Sequence, residues 1–387
     1  MKILMVHNYY QISGGEDSVV ENEKKLLEEY GNEVVLYTRK NKEIENYGIV
    51  KKILLPFNMI FNVKTYFDIK NIIRKKQIDI VHVHNTMNII SASVYYAAVK
   101  MKIPVIQTVH NFRLICPGAT LYCNGHICEK CINHSLFRAV KCGCYRHSKI
   151  QTFWCVVNMY LHRLLRIYSK INYICLTEFN KKKLLSLKQV KSENVFVKPN
   201  FAVLNTRDVN LKRNNQFVFL GRLDELKGID FLLDVWKKMN RTAPKLIVCG
   251  DGPLKEYCEE FISKNHLNIE MMGFVKHDIA NDILSESKAM IIPTKLYEGF
   301  PMSIVEAYSV GTPVICPNMG NAGDAVQNGV TGYKYIPDSK DSLIEAIKKC
   351  KGMNESTFNV YKERYTKDIN YKILSTIYNN IKLLEHD

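Results

Sequence analysis

Short apolar segments of strand length alternate with helical segments along the chain, and the whole series occurs twice. The first series begins with the apolar run 2–7, and the second begins at 217–220 after the polar stretch 201–214, which we interpret as a linker. Strands separated by helices are typical of parallel sheets covered on both faces. A chain of 387 residues is long enough for two such domains. We therefore expect an α/β protein with domains at 1–200 and 201–355, followed by a terminal helical segment, 356–387.

The net charge of +16 is confined to the first half of the chain. Residues 1–200 contain 30 Lys and Arg against 14 Asp and Glu, whereas residues 201–387 contain 24 of each kind. Such a positive field favours an anionic surface or ligand, with anionic lipid and nucleic acid as candidates and a solvated lysine-rich surface as the plain alternative. Since no nucleic-acid-binding motif accompanies the charge, we expect no nucleic-acid partner.

Targeting signals are not apparent in the sequence. The N-terminal apolar run ends at His7 and is too short for a signal peptide. No stretch of 18 uncharged apolar residues occurs, so we expect no membrane span and a cytoplasmic location.

Six of the twelve cysteines fall between residues 116 and 144, in a glycine-containing window, 112–148, that lacks periodicity and suggests an insertion. Without a signal peptide they are expected to be thiols. The two-residue gap between Cys128 and Cys131 lets both sulfurs face one tetrahedral zinc ion, although thiols without a metal are the alternative. Further donors would come from nearby residues: Cys116, Cys142, Cys144, His126, His134 and His147.

Two carboxylates, Glu298 and Glu306, lie eight positions apart around a loop and a helix start. Gly299-Phe300-Pro301 cannot be the interior of a helix, so Glu298 should lie on a loop and the helix should begin near Met302 or Ser303. Free N–H groups at that helix N-terminus attract anions and hydroxyls. One carboxylate before the helix and one within it can hold two hydroxyl-bearing parts of one ligand; a capped helix with incidental acids is the alternative.

This segment and the following Gly311-Thr312-Pro313-Val314 resemble the E-x7-E region of retaining glycosyltransferases of family 4, which use nucleotide sugars and have the GT-B fold. Four other segments occur in the family's order: Gly14-Gly15, Thr108-Val109-His110-Asn111, Gly221 to Gly228, and Gly250-Asp251-Gly252-Pro253. The resemblance covers nearly the whole chain. It implies two Rossmann-like domains facing across a cleft, an acceptor-binding first domain, a nucleotide-sugar-binding second domain, and a terminal helix that crosses back to the first.

The resemblance also implies roles for individual residues. Gly14 and Gly15 would let the backbone approach the donor phosphates, and His110 would lie beside the donor sugar. Arg222 and Lys227 would neutralise the departing diphosphate. The remaining donor contacts would come from the second domain: Glu298 with Gly299, Phe300, Pro301 and Met302 at the transferred sugar, Glu306 at the ribose, and Gly252, Phe274 and Val275 beside the base.

Members of this family retain anomeric configuration without a protein nucleophile, because the acceptor attacks the face from which the diphosphate departs. The chain has no Asp-x-Asp, so we expect catalysis without a metal and a structural role for any zinc. A subset of relatives with a cysteine-rich insertion suggests the zinc ligands Cys116, Cys128, Cys131 and Cys144.

The predicted activity is transfer of a sugar from a UDP or GDP type donor to a saccharide or lipid-diphosphate-linked acceptor in surface polysaccharide synthesis. The enzyme would contact the anionic inner face of the cell membrane peripherally. A catalytically inactive sugar-nucleotide-binding or regulatory protein of the same fold is the alternative. A nicotinamide oxidoreductase is disfavoured, because the dinucleotide-binding glycine pattern is absent.

Overall fold

The computed structural model describes residues 1–11, 14–203, 209 and 213–383. The predicted linker at 201–214 lies largely outside these residues. The chain divides into two compact units. The first contains Met1–Asn124, Cys128–Lys198 and Tyr371–Asp387, and the second contains Gly125–Ile127 and Pro199–Asn370.

The first unit is built on a six-stranded parallel sheet in the order β2-β1-β3-β4-β7-β8. Its strands are β1 (Lys2–Tyr9), β2 (Glu33–Lys40), β3 (Ile80–Asn85), β4 (Val105–Val109), β7 (Asn172–Cys175) and β8 (Val195–Val197). A separate two-stranded sheet contains β5 (Tyr122–Cys123) and β6 (His126–Ile127). The helices up to residue 184 are α1 (Gly15–Glu29), α2 (Ile49–Ile60), α3 (Val63–Lys76), α4 (Ser93–Lys100), α5 (Phe137–Cys142), α6 (Lys149–Leu164) and α7 (Glu178–Leu184).

The second unit contains another six-stranded parallel sheet, in the order β11-β10-β9-β12-β13-β14. The strands are β9 (Gln216–Leu220), β10 (Lys245–Cys249), β11 (Ile269–Gly273), β12 (Ala289–Ile291), β13 (Val314–Pro317) and β14 (Gly332–Tyr335). The helices are α8 (Ile229–Met239), α9 (Lys255–Asn265), α10 (His277–Glu286), α11 (Met302–Ser309), α12 (Gly320–Ala325), α13 (Lys340–Lys349) and α14 (Asn354–Arg364). Two successive parallel α/β sheets confirm the predicted fold class.

The cores follow from the sequence periodicity. Strand β1 is buried over Ile3–Val6, as expected for a central strand of a parallel sheet that is covered on both faces. In the second unit, α8 packs on the sheet through Leu232, Leu233 and Trp236, which are spaced as one face of an amphipathic helix. Burying each such side chain contributes roughly 1.5–3 kcal/mol. The Trp236 indole N–H donates to the Pro244 carbonyl oxygen (2.9 Å), so this burial leaves no unpaired donor.

The C-terminal segment was expected to be one helix, and this expectation is wrong. Helix α14 ends at Arg364, and α15 (Lys367–Leu383) begins after a short break. The helix ends there because the carbonyl oxygen of Tyr365 accepts from the Ala202 N–H (3.3 Å), while its ring lies against Tyr308. From Tyr371 onward, α15 belongs to the first unit and adds Leu374 and Ile377 to the core of its sheet.

The cysteine-rich segment has more regular structure than its sequence suggested. It contains the short sheet of β5 and β6 as well as α5, and its residues Cys131, Leu136 and Ala139 form a small core with α6. In the described part of the chain, every helix is too short or too polar to cross a bilayer.

Candidate functional site

The loops that follow β9 and β10 are packed together at the carboxyl end of the second sheet, where parallel α/β folds bind ligands. A Cβ atom on Gly250 would lie 1.8 Å from the carbonyl oxygen of Gly221, and one on Gly252 would lie 2.4 Å from that of Leu223. The Leu223 N–H also donates to the Asp251 carbonyl oxygen (3.0 Å). Glycine is therefore required at 250 and 252, and the predicted Gly-Asp-Gly-Pro loop supports the neighbouring segment that carries Arg222.

Asp224 orders the loop that presents the two predicted cations. Its carboxylate accepts from the Lys227 backbone N–H (2.9 Å), and its other oxygen lies 3.3 Å from Arg222 Nε. Leu223, which follows Arg222, is completely buried and anchors the loop in the core. The Arg222 side chain is 54% exposed, so most of its guanidinium donors face solvent.

Gly228 allows this loop to meet the one that follows β12. Its φ of +73° is in the left-handed region, and a Cβ atom there would lie 1.9 Å from the Pro293 carbonyl oxygen. The Lys295 N–H donates to the Leu226 carbonyl oxygen (3.0 Å) and closes the same contact. This close approach brings Lys227 beside Glu298.

Lys227 and Glu298 form an ion pair in which Nζ lies 2.8 Å from each carboxylate oxygen. The Glu298 side chain is only 10% exposed, whereas Lys227 is 36% exposed and faces the surface. Buried Asn321 fixes the loop by donating from Nδ2 to the carbonyl oxygens of Glu298 and Gly299 (2.5 Å each). Asn321 was not predicted from the sequence; the available signal was the polar, glycine-containing stretch 318–321 after the end of β13.

Helix α11 begins at Met302 with Pro301 before it, which confirms the predicted helix start. Phe300 is buried, with its ring 6.3 Å from Tyr365, so only its backbone faces a possible ligand. Glu306 lies in the first turns of α11, with Oε1 3.5 Å from His277 Nε2. The hydrogen bond with the Glu306 carboxylate raises the pKa of His277. This histidine, the first residue of α10, was not predicted from the sequence.

In the first unit, His110 directly follows β4 and is joined to a neighbouring strand. Its Nε2 lies 2.9 Å from Nδ1 of His84, and the two rings are stacked. Burial, followed by the proximity of His84, holds the pKa of His110 well below its usual value. The imidazole is therefore neutral near pH 7, and it can exchange hydrogen bonds but carries no charge.

His110 belongs to a buried polar network that the sequence analysis did not anticipate. Glu23 on α1 has one carboxylate oxygen 3.1 Å from His82 and 3.4 Å from His84, and the other lies 2.8 Å from Lys198 Nζ. Burial opposes ionisation of Glu23, but Lys198 and then His82 outweigh it and hold the pKa of that carboxyl well below its usual range. The available signal was the pair of histidines in an otherwise apolar strand, β3.

Gly14 and Gly15 form the turn at the start of α1. The Gly14 N–H donates to Asp17 (3.1 Å), and the other carboxylate oxygen of Asp17 lies 2.8 Å from His7 Nε2. Among the described residues, leaving aside its own neighbours in the chain and helix, none has an atom within 4 Å of a Cβ built on Gly14.

Both halves of the chain match known glycosyltransferase domain families. Residues 13–205 match the domain family described as Glycosyltransferase Family 4, and residues 205–365 match Glycosyl transferases group 1. The chain belongs to the GT-B glycosyltransferases of the family 4 and group 1 type.

Individual relatives agree with this assignment. The glycosyltransferase is 27% identical to the uncharacterized glycosyltransferase MJ1178 of Methanocaldococcus jannaschii over 90% of its own length and 88% of that protein. It is 30% identical to the amylovoran biosynthesis glycosyltransferase AmsD of Erwinia amylovora, over 44% of its own length and 50% of AmsD. Across eight curated relatives, the share of the relative's own length that is matched ranges from 25% to 88%.

Solved structures show the same fold. Anabaena HepE in complex with UDP superposes with a TM-score of 0.65 at 16% identity, covering 98% of this glycosyltransferase and all of HepE. At that level of identity the likeness concerns the fold.

The cysteines of this glycosyltransferase converge in a different set from the one predicted. Among the described residues, the sulfurs of Cys123, Cys142 and Cys144 all lie within 4.8 Å of one another. Of the four predicted ligands only Cys144 belongs to this group; Cys116, Cys128 and Cys131 do not. The sequence spacing shows which thiols are able to share an ion, but the pairing depends on how the insertion folds.

Proposed function

We propose that this glycosyltransferase moves a sugar from a nucleoside-diphosphate sugar to a saccharide acceptor with retention of anomeric configuration. The observation that carries the proposal is the Lys227–Glu298 ion pair at the carboxyl end of the second sheet, in which Lys227 lies on the same Asp224-ordered loop as Arg222. The complex of the structurally similar HepE with UDP supports a donor of the UDP type.

Departure of the nucleoside diphosphate is the step that the two cations would assist. Negative charge grows on the bridging phosphate oxygen as the glycosidic bond breaks, and fixed cations stabilise it without reorganisation. Glu298 holds the Lys227 ammonium in one place, while about a third of the lysine side chain stays exposed to a ligand. Arg222 adds a guanidinium, which suits bidentate phosphate binding.

The second unit would also hold the two ends of the donor. Backbone N–H groups at the start of α11, together with Glu298, would bind hydroxyls of the transferred sugar. Glu306 would accept hydrogen bonds from the ribose, with His277 beside it. Phe274 follows β11 and is 81% exposed, so its ring is available to stack on the base near the Gly252 loop.

Retention would proceed without a covalent intermediate. Both carboxylate oxygens of Glu298 are engaged by Lys227, which makes this residue a poor nucleophile. The acceptor hydroxyl would attack the face from which the diphosphate departs, and a phosphate oxygen would take its proton. Arg222 and Lys227 supply the positive charge, so the reaction needs no metal ion.

The first unit would supply His110 to the donor sugar and the Gly14-Gly15 turn to the phosphates. These roles come from the family resemblance. The neutral state of His110 supports a hydrogen bond with a sugar hydroxyl over contact with the diphosphate charge.

The acceptor would be a saccharide carried on a lipid diphosphate at the cytoplasmic face of the membrane. The positive charge of residues 1–200 supports an anionic acceptor, and the named role of AmsD in amylovoran biosynthesis supports a surface polysaccharide pathway. The enzyme would then be cytoplasmic and peripherally bound.

Nucleotide release from a panel of UDP and GDP sugars, with and without lipid-linked saccharides, tests the proposal. We expect release that depends on the acceptor and a product with the anomeric configuration of the donor. An inverted product would overturn retention. Tight UDP binding without release from any donor would instead support a catalytically inactive binding protein.

A further inference from the structure

Helix α2 exposes apolar side chains where a soluble domain normally presents polar ones. Ile49, Val50, Ile53 and Phe57 are all more than half exposed, with Ile49 at 80%. At about 100° per residue these positions fall within one sector of roughly 140°, which also includes Leu54 and Phe61. The apolar stripe of this helix therefore faces outward.

Helix α6 repeats the arrangement over 16 residues. Its exposed apolar side chains are Ile150, Phe153, Tyr160, Leu161 and Leu164, followed by Leu165 just after the helix. The same rotation per residue places all of them in a second sector of about 140°, together with the partly exposed Trp154 and Val157. The opposite side of α6 is buried against the first unit through residues such as Cys155, Val156 and Met159.

Ring contacts join these stripes into one surface of the first unit. The Phe57 ring on α2 meets Trp154 on α6 edge to face, with centroids 5.1 Å apart. Phe137 on α5 is exposed and stacks on Tyr160 at 5.5 Å. We define the apolar face as Ile49, Val50, Ile53, Leu54, Phe57, Phe61, Phe137, Ile150, Phe153, Tyr160, Leu161, Leu164 and Leu165. Contiguous exposed apolar surfaces of this kind mark binding sites for proteins or membranes.

The charges beside the apolar face indicate which partner fits it. The sequence has no acidic residue between positions 46 and 67 or between 130 and 177. Lys51 and Lys52 lie on either side of the α2 stripe, and Lys149 opens α6 at the edge of its stripe. Outward apolar stripes whose flanking charges are cations are typical of helices that lie in the interface of an anionic bilayer.

We propose that α2 and α6 insert the apolar face into the headgroup and acyl boundary of an anionic phospholipid bilayer, with Lys51, Lys52 and Lys149 at the level of the lipid phosphates. This proposal specifies which surface makes the membrane contact of the proposed function, and its biological role rests on that proposed function. It differs from attachment by charge alone, because the apolar contact persists when salt screens the lysines.

The two tryptophans of the chain provide a direct probe. Trp154 borders the apolar face, whereas Trp236 is completely buried in the core of the second unit. Vesicles of phosphatidylglycerol and phosphatidylcholine should shift the protein's emission to the blue, and lipids brominated near the headgroup should quench it. Trp154→Phe should abolish both changes. Vesicle binding without any change in Trp154 emission would overturn insertion through this face.

A double variant, Ile53→Asp with Phe57→Asp, tests the energetics. We expect at least a 10-fold loss of vesicle partitioning, including at high salt. Ile336→Asp is a matched control, because Ile336 is as exposed as Ile53 but belongs to the second unit. Circular dichroism and the Tm confirm that each variant is folded.

Three results would contradict the inference or separate it from the proposed function. Binding that is fully released by salt and unchanged in the double variant would leave only an electrostatic contact. A wild-type dimer that the double variant dissociates, without vesicle binding by either, would identify the face as an interface between copies. Nucleotide release with a soluble saccharide should be unaffected in the double variant, so loss of membrane binding and loss of transfer are distinguishable.

Discussion

The Lys227–Glu298 pair illustrates how a single residue contact depends on backbone geometry elsewhere. The two side chains meet because Gly228 lets the turn approach Pro293 and because Asn321 holds the carbonyl oxygens of Glu298 and Gly299. A side chain on Gly228 would separate the loops before it affected either charge. The cation is thus positioned by the fold before any ligand is present.

Removing either predicted cation should slow the reaction, and removing Arg222 should do so without loss of stability. We expect Arg222→Ala and Lys227→Ala each to lower kcat by about 10²-fold or more, since a lost donor to the developing charge costs roughly 3 kcal/mol. Arg222 is half exposed, so the Tm of its variant should stay near that of the wild type. Lys238→Ala, which removes an exposed lysine paired with Asp341, serves as the control. Wild-type turnover in either the Arg222 or the Lys227 variant would refute the phosphate role.

Glu23→Gln should destabilise the first unit strongly. Glu23 and Lys198 are each 1% exposed and 2.8 Å apart, so the substitution removes the carboxylate charge that faces a buried ammonium. Breaking such a pair costs about 3–5 kcal/mol, and a Glu23→Gln, Lys198→Met double variant should recover part of it. Urea unfolding measures the change, with the exposed Glu193→Gln as control. A loss below about 1 kcal/mol would mean that the pair is well solvated.

At the scale of elements, the sequence predicted the strands and helices whose apolar pattern is continuous. It missed β14, whose Gly-Tyr-Lys-Tyr sequence is short and mixed, and it missed α13, which is largely polar. Within the candidate site, the motif residues could be proposed from the sequence because their spacing is local. Asn321, His277 and the Glu23 network were not found, because each acts through a partner distant in sequence and no local pattern shows that contact.

The cysteine cluster offers a test that separates the predicted ligand set from the one that the fold brings together. Cys123, Cys142 and Cys144 converge within 4.8 Å, a donor set that suits a structural zinc ion with one more ligand. We expect protein purified without added metal to contain about one zinc per chain, and Cys123→Ser to lose it. Cys128→Ser should retain zinc if the convergent set is right and lose it if the predicted set is right. A folded, metal-free wild type would exclude both.

At the scale of the whole molecule, the two units differ in how they hold histidine. The pKa values of His7, His82, His110 and His162 are all lowered chiefly by burial, and all four belong to the first unit. In the second unit, the hydrogen bond to Glu306 raises the pKa of His277. The first unit therefore contains buried neutral imidazoles that acid must charge, whereas the second unit is stabilised by protonation of His277, whose side chain is 67% exposed.

Acid should accordingly unfold the first unit before the second. The unfolded pKa of histidine is about 6.5, and burial lowers that of His82 to about 3. Between these values the unfolded chain binds more protons than the folded one. The free energy of unfolding therefore decreases as the pH is lowered, by up to about 1.4 kcal/mol per pH unit for each such histidine. Below about pH 4.5 the depressed pKa of Glu23 adds a loss of the same sign. In the Trp236→Phe variant the remaining Trp154 reports the first unit, and in the Trp154→Phe variant the remaining Trp236 reports the second. The Trp154 transition should occur at the higher pH. Coincident transitions, or an earlier one at Trp236, would show that the buried histidines do not set the acid limit.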